Sequence, residues 1–214
     1  IYNDVNPLNA WSSISMLRND QEKNKICDFL ISADIRLTDI SVETKKVKAK
    51  TVNFDMLGDK TEILNEEKEV YELYVHHSTD KGSSTFSLNQ ESIGTQRLLF
   101  LTGPVLQALS QGSVLVIDEF ESSLHPLLAK RLIELFHSEK NTKGAQLIFT
   151  THNTSLLNKN IFRRDQVWFI DKNSEEASKL YPLTDFSPRK EDIFESRYLS
   201  GRYGAVPFFD NETL

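Results

Sequence analysis

The sequence predicts an α/β fold, a mainly parallel sheet flanked by helices and preceded by an N-terminal helical and antiparallel segment. Three observations carry the prediction. Val114-Leu115-Val116-Ile117 is a short, mostly β-branched apolar run that follows the turn residues Gly112 and Ser113 and leads straight into acids, as a strand buried on both faces of a parallel sheet does. A second run of this kind, Gln146-Leu147-Ile148-Phe149-Thr150, follows a helical stripe of Leu128, Leu132, Leu135 and Phe136. A β-helix-β unit of that length makes its strands parallel with a right-handed crossover. Thirdly, Tyr71, Leu73 and Val75 alternate with Glu72, Tyr74 and His76, the period of a half-buried antiparallel strand.

The remaining elements follow in chain order. Residues 1–20 mix Asn, Ser and Asp with isolated apolar residues around Trp11 and read as irregular or a partial helix. Ile26, Phe29, Leu30 and Ala33 form a helical face, with Cys27 beside it as packing. Ile35, Leu37, Ile40 and Val42 give a short strand or hairpin, and residues 43–69, dense in Lys, Glu and Asp, give a mobile loop or insertion. The turn Asp80-Lys81-Gly82-Ser83-Ser84 lets Phe86-Ser87-Leu88 return antiparallel. Ser92 stands as N-cap before a helix marked by Leu98, Leu99, Leu101, Val105, Leu106 and Leu109, and Pro126 opens the next helix near its first position. Gln166 to Asp171 is a further strand, with Lys179 to Leu183 as its antiparallel edge, where Pro182 is tolerated. The tail 197–209, rich in aromatics, Arg and Gly, fits either a packed strap or an interface. Two regions are expected: residues 1–69, helical and loop, and residues 70–214, the α/β part.

Composition narrows the function classes. Hydrophobic residues at 39% and charged residues at 26% describe a globular chain long enough, at 214 residues, for a real core. A net charge of −6 argues against electrostatic coating of nucleic acid, leaving local contact open. One cysteine excludes an internal disulfide and fits a reducing compartment. No apolar run approaches the roughly 18 residues that span a bilayer, and no signal peptide is visible, so a cytoplasmic location and no membrane partner are expected.

The chemistry concentrates after the first apolar run. Asp118 and Glu119 fall at the carboxyl end of their strand, where open α/β sheets bind ligands, and adjacent carboxylates there suit a divalent cation and a nucleophilic water. This is a Walker B strand in physical terms: Asp118 holds Mg²⁺, directly or through water, and Glu119 polarises the attacking water. His152, after the parallel strand, ends at the same sheet edge and becomes a candidate γ-phosphate contact. Ser92 and the small Gly94 at a helix N-terminus make an anion site, with an ordinary capped helix as the competing reading. His76 and His77 are strand neighbours pointing to opposite faces, so they cannot share one metal.

Four motifs stand in order: Ser92-Ile93-Gly94-Thr95, Val114 to Glu119, Ser122-Ser123-Leu124-His125-Pro126, and Thr150-Thr151-His152-Asn153. Together they resemble the signature, Walker B, D-loop and H-loop of an ABC-type ATPase head of the SMC and RecF group. More narrowly, residues from about 70 to 209, including the tail Tyr198-Leu199-Ser200-Gly201-Arg202-Tyr203-Gly204-Ala205, are similar to the AAA_21 family, the RloA- and AbiL-like ATP-binding proteins of abortive infection and restriction loci.

The resemblance implies an ATPase using ATP and Mg²⁺. Asp118 would coordinate the metal, Glu119 would be the catalytic base and His152 would steady the γ-phosphate. Ser92, Gly94 and Thr95 would bind the nucleotide of the opposite protomer in a head-to-tail homodimer, and Ser122, Ser123 and His125 would cross that interface. It further implies an anti-phage role in which ATP-driven dimerisation controls an effector such as a TOPRIM-type nuclease. The alternatives are a RecF- or SMC-like DNA-repair ATPase, which the acidic balance and lack of heptads weigh against, and a non-catalytic interaction module. The departure is the phosphate cradle: none of the eight glycines is followed by Lys, so no G-x-x-x-x-G-K-[ST] loop is present. With a first residue of Ile1, the expectation is the C-terminal portion of a longer protein, inactive on its own.

Overall fold

The computed structural model describes residues 7–54, 60–173, 175–189 and 192–207; the side chains it describes exclude 7–9 and 49–66. Packing divides the chain into two units, Ile1–Leu115 with Thr142–Ala145, and Val116–Asn141 with Gln146–Leu214. The expected boundary between 69 and 70 does not coincide with this division, because one strand runs straight through it.

The first unit begins with helices α1 (Pro7–Leu17) and α2 (Asp20–Ser32). Of the two readings expected for residues 1–20, irregular or a partial helix, the described residues take the helical one; residues 1–6 lie outside the described residues. The Asn19 side chain caps α2 by accepting the amides of Gln21 and Glu22, satisfying donors that a helix start leaves free. Ile26 and Leu30 are buried as the helical spacing requires, and burial raises the Cys27 thiol, a packing residue.

Strands β1 (Asp39–Phe54), β2 (Lys60–Thr79) and β3 (Gly82–Ser87) form an antiparallel sheet in that order. The expected mobile loop at 43–69 is thus corrected to a long hairpin, of which residues 55–59 lie outside the described residues. The reason is charge pairing. Lys46 stands opposite Glu69 and Lys48 opposite Glu67 in register, and Lys45 Nζ lies 2.6 Å from Glu72 Oε2. Opposite charges across a ribbon stabilise it where apolar alternation is absent. Towards the base, Ile40, Leu73 and Val75 are buried and the hairpin joins the core.

Helix α3 (Ile93–Gln111) carries the unit's most buried segment, Leu98 to Val105, and ends at Gly112 with φ 72°, a left-handed cap suited to glycine. Pro104 has no amide to donate, which strands a carbonyl one turn earlier. The fully buried Ser13 of α1 answers this: its hydroxyl donates to the carbonyls of Leu99 (2.9 Å) and Phe100 (3.1 Å) and accepts the Gly103 amide at 3.1 Å. The approach is so close that a Cβ on Gly103 would lie 2.4 Å from Ser13 Oγ.

The second unit contains helix α4 (Pro126–His137) and the end of strand β4 (Val114–Ile117), which pairs with β5 (Gln146–Phe149). Thr150 donates its amide to the Ile117 carbonyl while its own carbonyl accepts from Phe120, a straddling pattern that belongs to parallel strands. The expectation that β4 is buried on both faces is corrected. Ile117 is buried, but Val114 is 54% and Val116 70% exposed, because among the described residues the pair has two strands and one apolar face stays open. Strands β6 (Trp168–Lys172) and β7 (Ser178–Pro182) form a separate antiparallel pair with Pro182 opposite Trp168. Beyond the short helix α5 (Phe194–Leu199) the tail folds back as a strap. Tyr198 stacks on Phe169 at 5.5 Å, Tyr203 is buried, and the Tyr181 hydroxyl donates to the Tyr203 carbonyl at 2.8 Å. Residues 208 and 209 of the expected tail lie outside the described residues.

His76 and His77 do diverge. His76 bonds Ser41 and Thr85, whereas His77 lies between the Arg36 carbonyl and Glu91 Oε1, 2.8 Å away. Burial would lower the His77 pKa, but the Glu91 carboxylate and the Arg36 carbonyl hold it above its ordinary value. A raised folded value means a contribution that is complete below the unfolded histidine range and lost as pH rises through the folded value. The expected outcome is that the thermal stability advantage of the native protein over His77→Gln shrinks between about pH 6 and about pH 9, checked by melts in matched buffers.

Candidate active-site edge

The carboxyl end of β4 departs from regular strand geometry at one residue. Glu119 has φ 47°, in the left-handed region that side chains with a Cβ seldom enter. A regular parallel ladder would give the Thr150 carbonyl the amide of residue 119; it takes that of Phe120 instead, at 3.1 Å. Glu119 is therefore an extra residue, a bulge of the kind that re-aims side chains beside active sites. Its displaced amide is not orphaned, since it donates to Thr150 Oγ1 at 2.9 Å. The same hydroxyl donates to Asp118 Oδ1. One threonine side chain thus holds the metal-ligand candidate and the backbone of the base candidate.

Phe120 sets the direction of its neighbours. Its ring is fully buried, 5.0 Å from Phe149, which itself lies 6.0 Å from Phe162. With Phe120 inward, Asp118 and Glu119 are exposed and Glu121 is half-buried. The Glu121 carboxylate crosses to the β5 side and accepts the His152 amide at 2.8 Å. Burial would raise its pKa, but the polar groups of the Thr151–Asn153 segment, with the His152 amide in direct hydrogen bond, hold it below the usual carboxylate range.

The loop after the bulge turns tightly. The Ser122 amide donates to the Glu119 carbonyl, the Leu124 amide to the Glu121 carbonyl, and Ser123 is left-handed at φ 61°. Leu124 is buried and Ser123 exposed. His125 has a local task, capping α4 by accepting the Leu127 amide on Nδ1 at 3.3 Å. Ser92, Gly94 and Thr95 belong to the other unit. There Ser92 is the N-cap of α3, accepting the Thr95 amide at 3.1 Å and sharing a 2.8 Å hydroxyl contact with Thr95.

Of the residues expected to act together, Asp118 and Glu119 are joined through Thr150, and His152 is joined to their segment through Glu121. Thr150 and Glu121 had no assigned role in the sequence. A hydroxyl residue closing the strand that follows an acid pair was the available signal for Thr150. The third acid after β4 was the signal for Glu121. Among the described residues no group of three or more His, Cys, Asp or Glu is placed to hold a metal by itself. Mg²⁺ fits nonetheless, because it binds through one or two carboxylates while phosphate and water supply the other ligands.

Parallel strands joined by a crossover helix, with an acid pair and a histidine after their carboxyl ends, make an α/β arrangement of the P-loop ATPase type. The family model described as "AAA domain, putative AbiEii toxin, Type IV TA system" (AAA_21) matches residues 14–158, and the chain belongs to that family. No curated protein matches the sequence. Among the described residues no helix is long and apolar enough to cross a membrane.

Replacing Thr150 by Val keeps the shape but removes an acceptor and a donor, stranding the Glu119 amide. Thr150→Val is expected to lower unfolding stability by about 0.5–1.5 kcal/mol, the net worth of a hydrogen bond at an exposed site, with Thr150→Ser close to native, as measured by urea denaturation.

Proposed function

We propose that this chain forms the part of an ATP-hydrolysing defence protein that carries the acid pair, the signature helix and the histidine loop. The observation that carries the reading is the bulge at Glu119, which leaves two adjacent acids exposed at the sheet edge while Thr150 fixes the Asp118 carboxylate and the Glu119 backbone. In this reading Asp118 holds Mg²⁺, which when bound neutralises charge on the transferring phosphoryl group. Glu119 orients the attacking water and accepts its proton, and its exposure gives that water access. His152 steadies the γ-phosphate, its main chain fixed by Glu121. Ser92, Gly94 and Thr95 contact the nucleotide of a second copy from the start of α3, where amides favour anions. Ser123 and His125 reach across the same interface, and Ser123 has the exposure that this requires.

The family description, which names a putative AbiEii toxin and a type IV toxin-antitoxin system, supports placing the ATPase in bacterial anti-phage defence. ATP-dependent dimerisation then gates an effector protein, with a TOPRIM-type nuclease as the favoured class. The phosphate cradle, absent from these 214 residues, comes from another segment.

The test is ATP hydrolysis by the full-length protein beside this chain, each with and without Glu119→Gln. Loss of a positioned base is expected to slow the full-length enzyme by about 10²–10⁴-fold, and this chain is expected to turn over negligibly. Full-length protein without Glu119-dependent turnover would replace the reading with a non-catalytic interaction module.

A further inference from the structure

Glu121 occupies a position that the proposed chemistry does not use, yet it touches both loops on which that chemistry depends. Its carbonyl accepts the Leu124 amide at 2.8 Å and so closes the turn that presents Ser122 and Ser123. Its carboxylate accepts the His152 amide at 2.8 Å. The residue before it, Phe120, is fully buried and anchors the main chain from which Glu121 projects. Past His152 the chain is held independently: Asn153 Oδ1 accepts the Ser155 amide at 3.1 Å, and the Thr154 hydroxyl donates to Glu195 at 2.8 Å. At His152 itself the Glu121 carboxylate holds the amide, within a turn closed by the Asn153 amide donating to Thr151 Oγ1 at 3.0 Å.

We propose that Glu121 is a positioning residue that couples the loop 121–125 to His152, so that a displacement of that loop by a second copy of the chain is transmitted to the γ-phosphate contact. The inference rests on the ATPase reading and adds a path within one subunit. A load-free tether would only stabilise the fold; a coupling residue sets the placement of His152. The carboxylate acts here as an acceptor, so glutamine, which retains a carbonyl oxygen at the same reach, can substitute for it.

The experiment uses the full-length protein, with ATP turnover and amide exchange of the segment 150–156 measured on the same variants. Glu121→Ala is expected to lower kcat by up to about 100-fold with KM for ATP little changed, since a displaced contact costs rate more than ground-state binding. Glu121→Gln is expected to restore most of the rate. In a His152→Ala background Glu121→Ala is expected to add nothing, because a residue acting only through another is silent once that other is gone. Exchange at His152 should quicken in Glu121→Ala and not in Glu121→Gln. Equal losses in the Ala and Gln variants, an additive effect with His152→Ala, or unchanged exchange at His152 would each overturn the coupling. If Glu121→Ala does not fold, Glu121→Asp, one methylene shorter, supplies the same comparison. Absence of Glu119-dependent turnover in the parent protein would sink the ATPase reading alone, and the exchange data would still decide whether Glu121 governs His152.

Discussion

The site depends on a single hydroxyl. A glutamate in the left-handed region carries a backbone cost of order 1–3 kcal/mol and persists only where its surroundings over-determine it. Here Thr150 supplies the determination, replacing the lost ladder acceptor of the Glu119 amide and fixing the Asp118 carboxylate at once. Without the bulge, alternation would continue and consecutive acids would point to opposite faces. With it, the chain gains one residue in which to turn Phe120 inward and leave both acids at the solvent edge.

The bridges between the strands run in opposite directions. Thr150 of the β5 side holds the acids of β4, and Glu121 of the β4 side holds His152. Regular ladder bonds stop where the strands end, and these side-chain bonds continue the connection past that point. Loops placed on such a scaffold keep definite positions, as a site needs, while exposing their side chains.

How much of this the sequence disclosed depends on which physical signal each part uses. Apolar periodicity located α2, α3, α4, β4, β5 and the β6–β7 pair, because each turns apolar side chains inward, buried in the helices, β4 and β6 and half-buried in β5 and β7. It failed at 43–69, where Lys46 and Lys48 stand opposite Glu69 and Glu67 and, among the residues whose side chains are described, the ribbon is mostly exposed and offers little apolar alternation to read. It overstated the burial of β4 for the converse reason: Val114 and Val116 have the composition of a central strand, while one of its faces is open. The acid pair was legible because its chemistry resides in its residue types. Thr150 and Glu121 were not, since their importance lies in a bulge and a crossing that residue type alone does not encode.

The exposure of the acids bears on how such a site could act. Asp118 and Glu119 face water, where unit charges 4 Å apart interact by only about 1 kcal/mol, against about 4 kcal/mol at the higher effective strength near a protein surface. The hold of carboxylates so placed on a cation and on a reacting water strengthens only when solvent is excluded from above them. The hydrogen bonds of Thr150 position the acids without covering them, since Asp118 and Glu119 both stay exposed. In the proposed reading the missing cover is the nucleotide and the second copy that closes on it. Solvent exclusion would then be the step that switches the site on, and the rigidity supplied by Thr150 and Glu121 would ensure that little reorganisation is left when it happens.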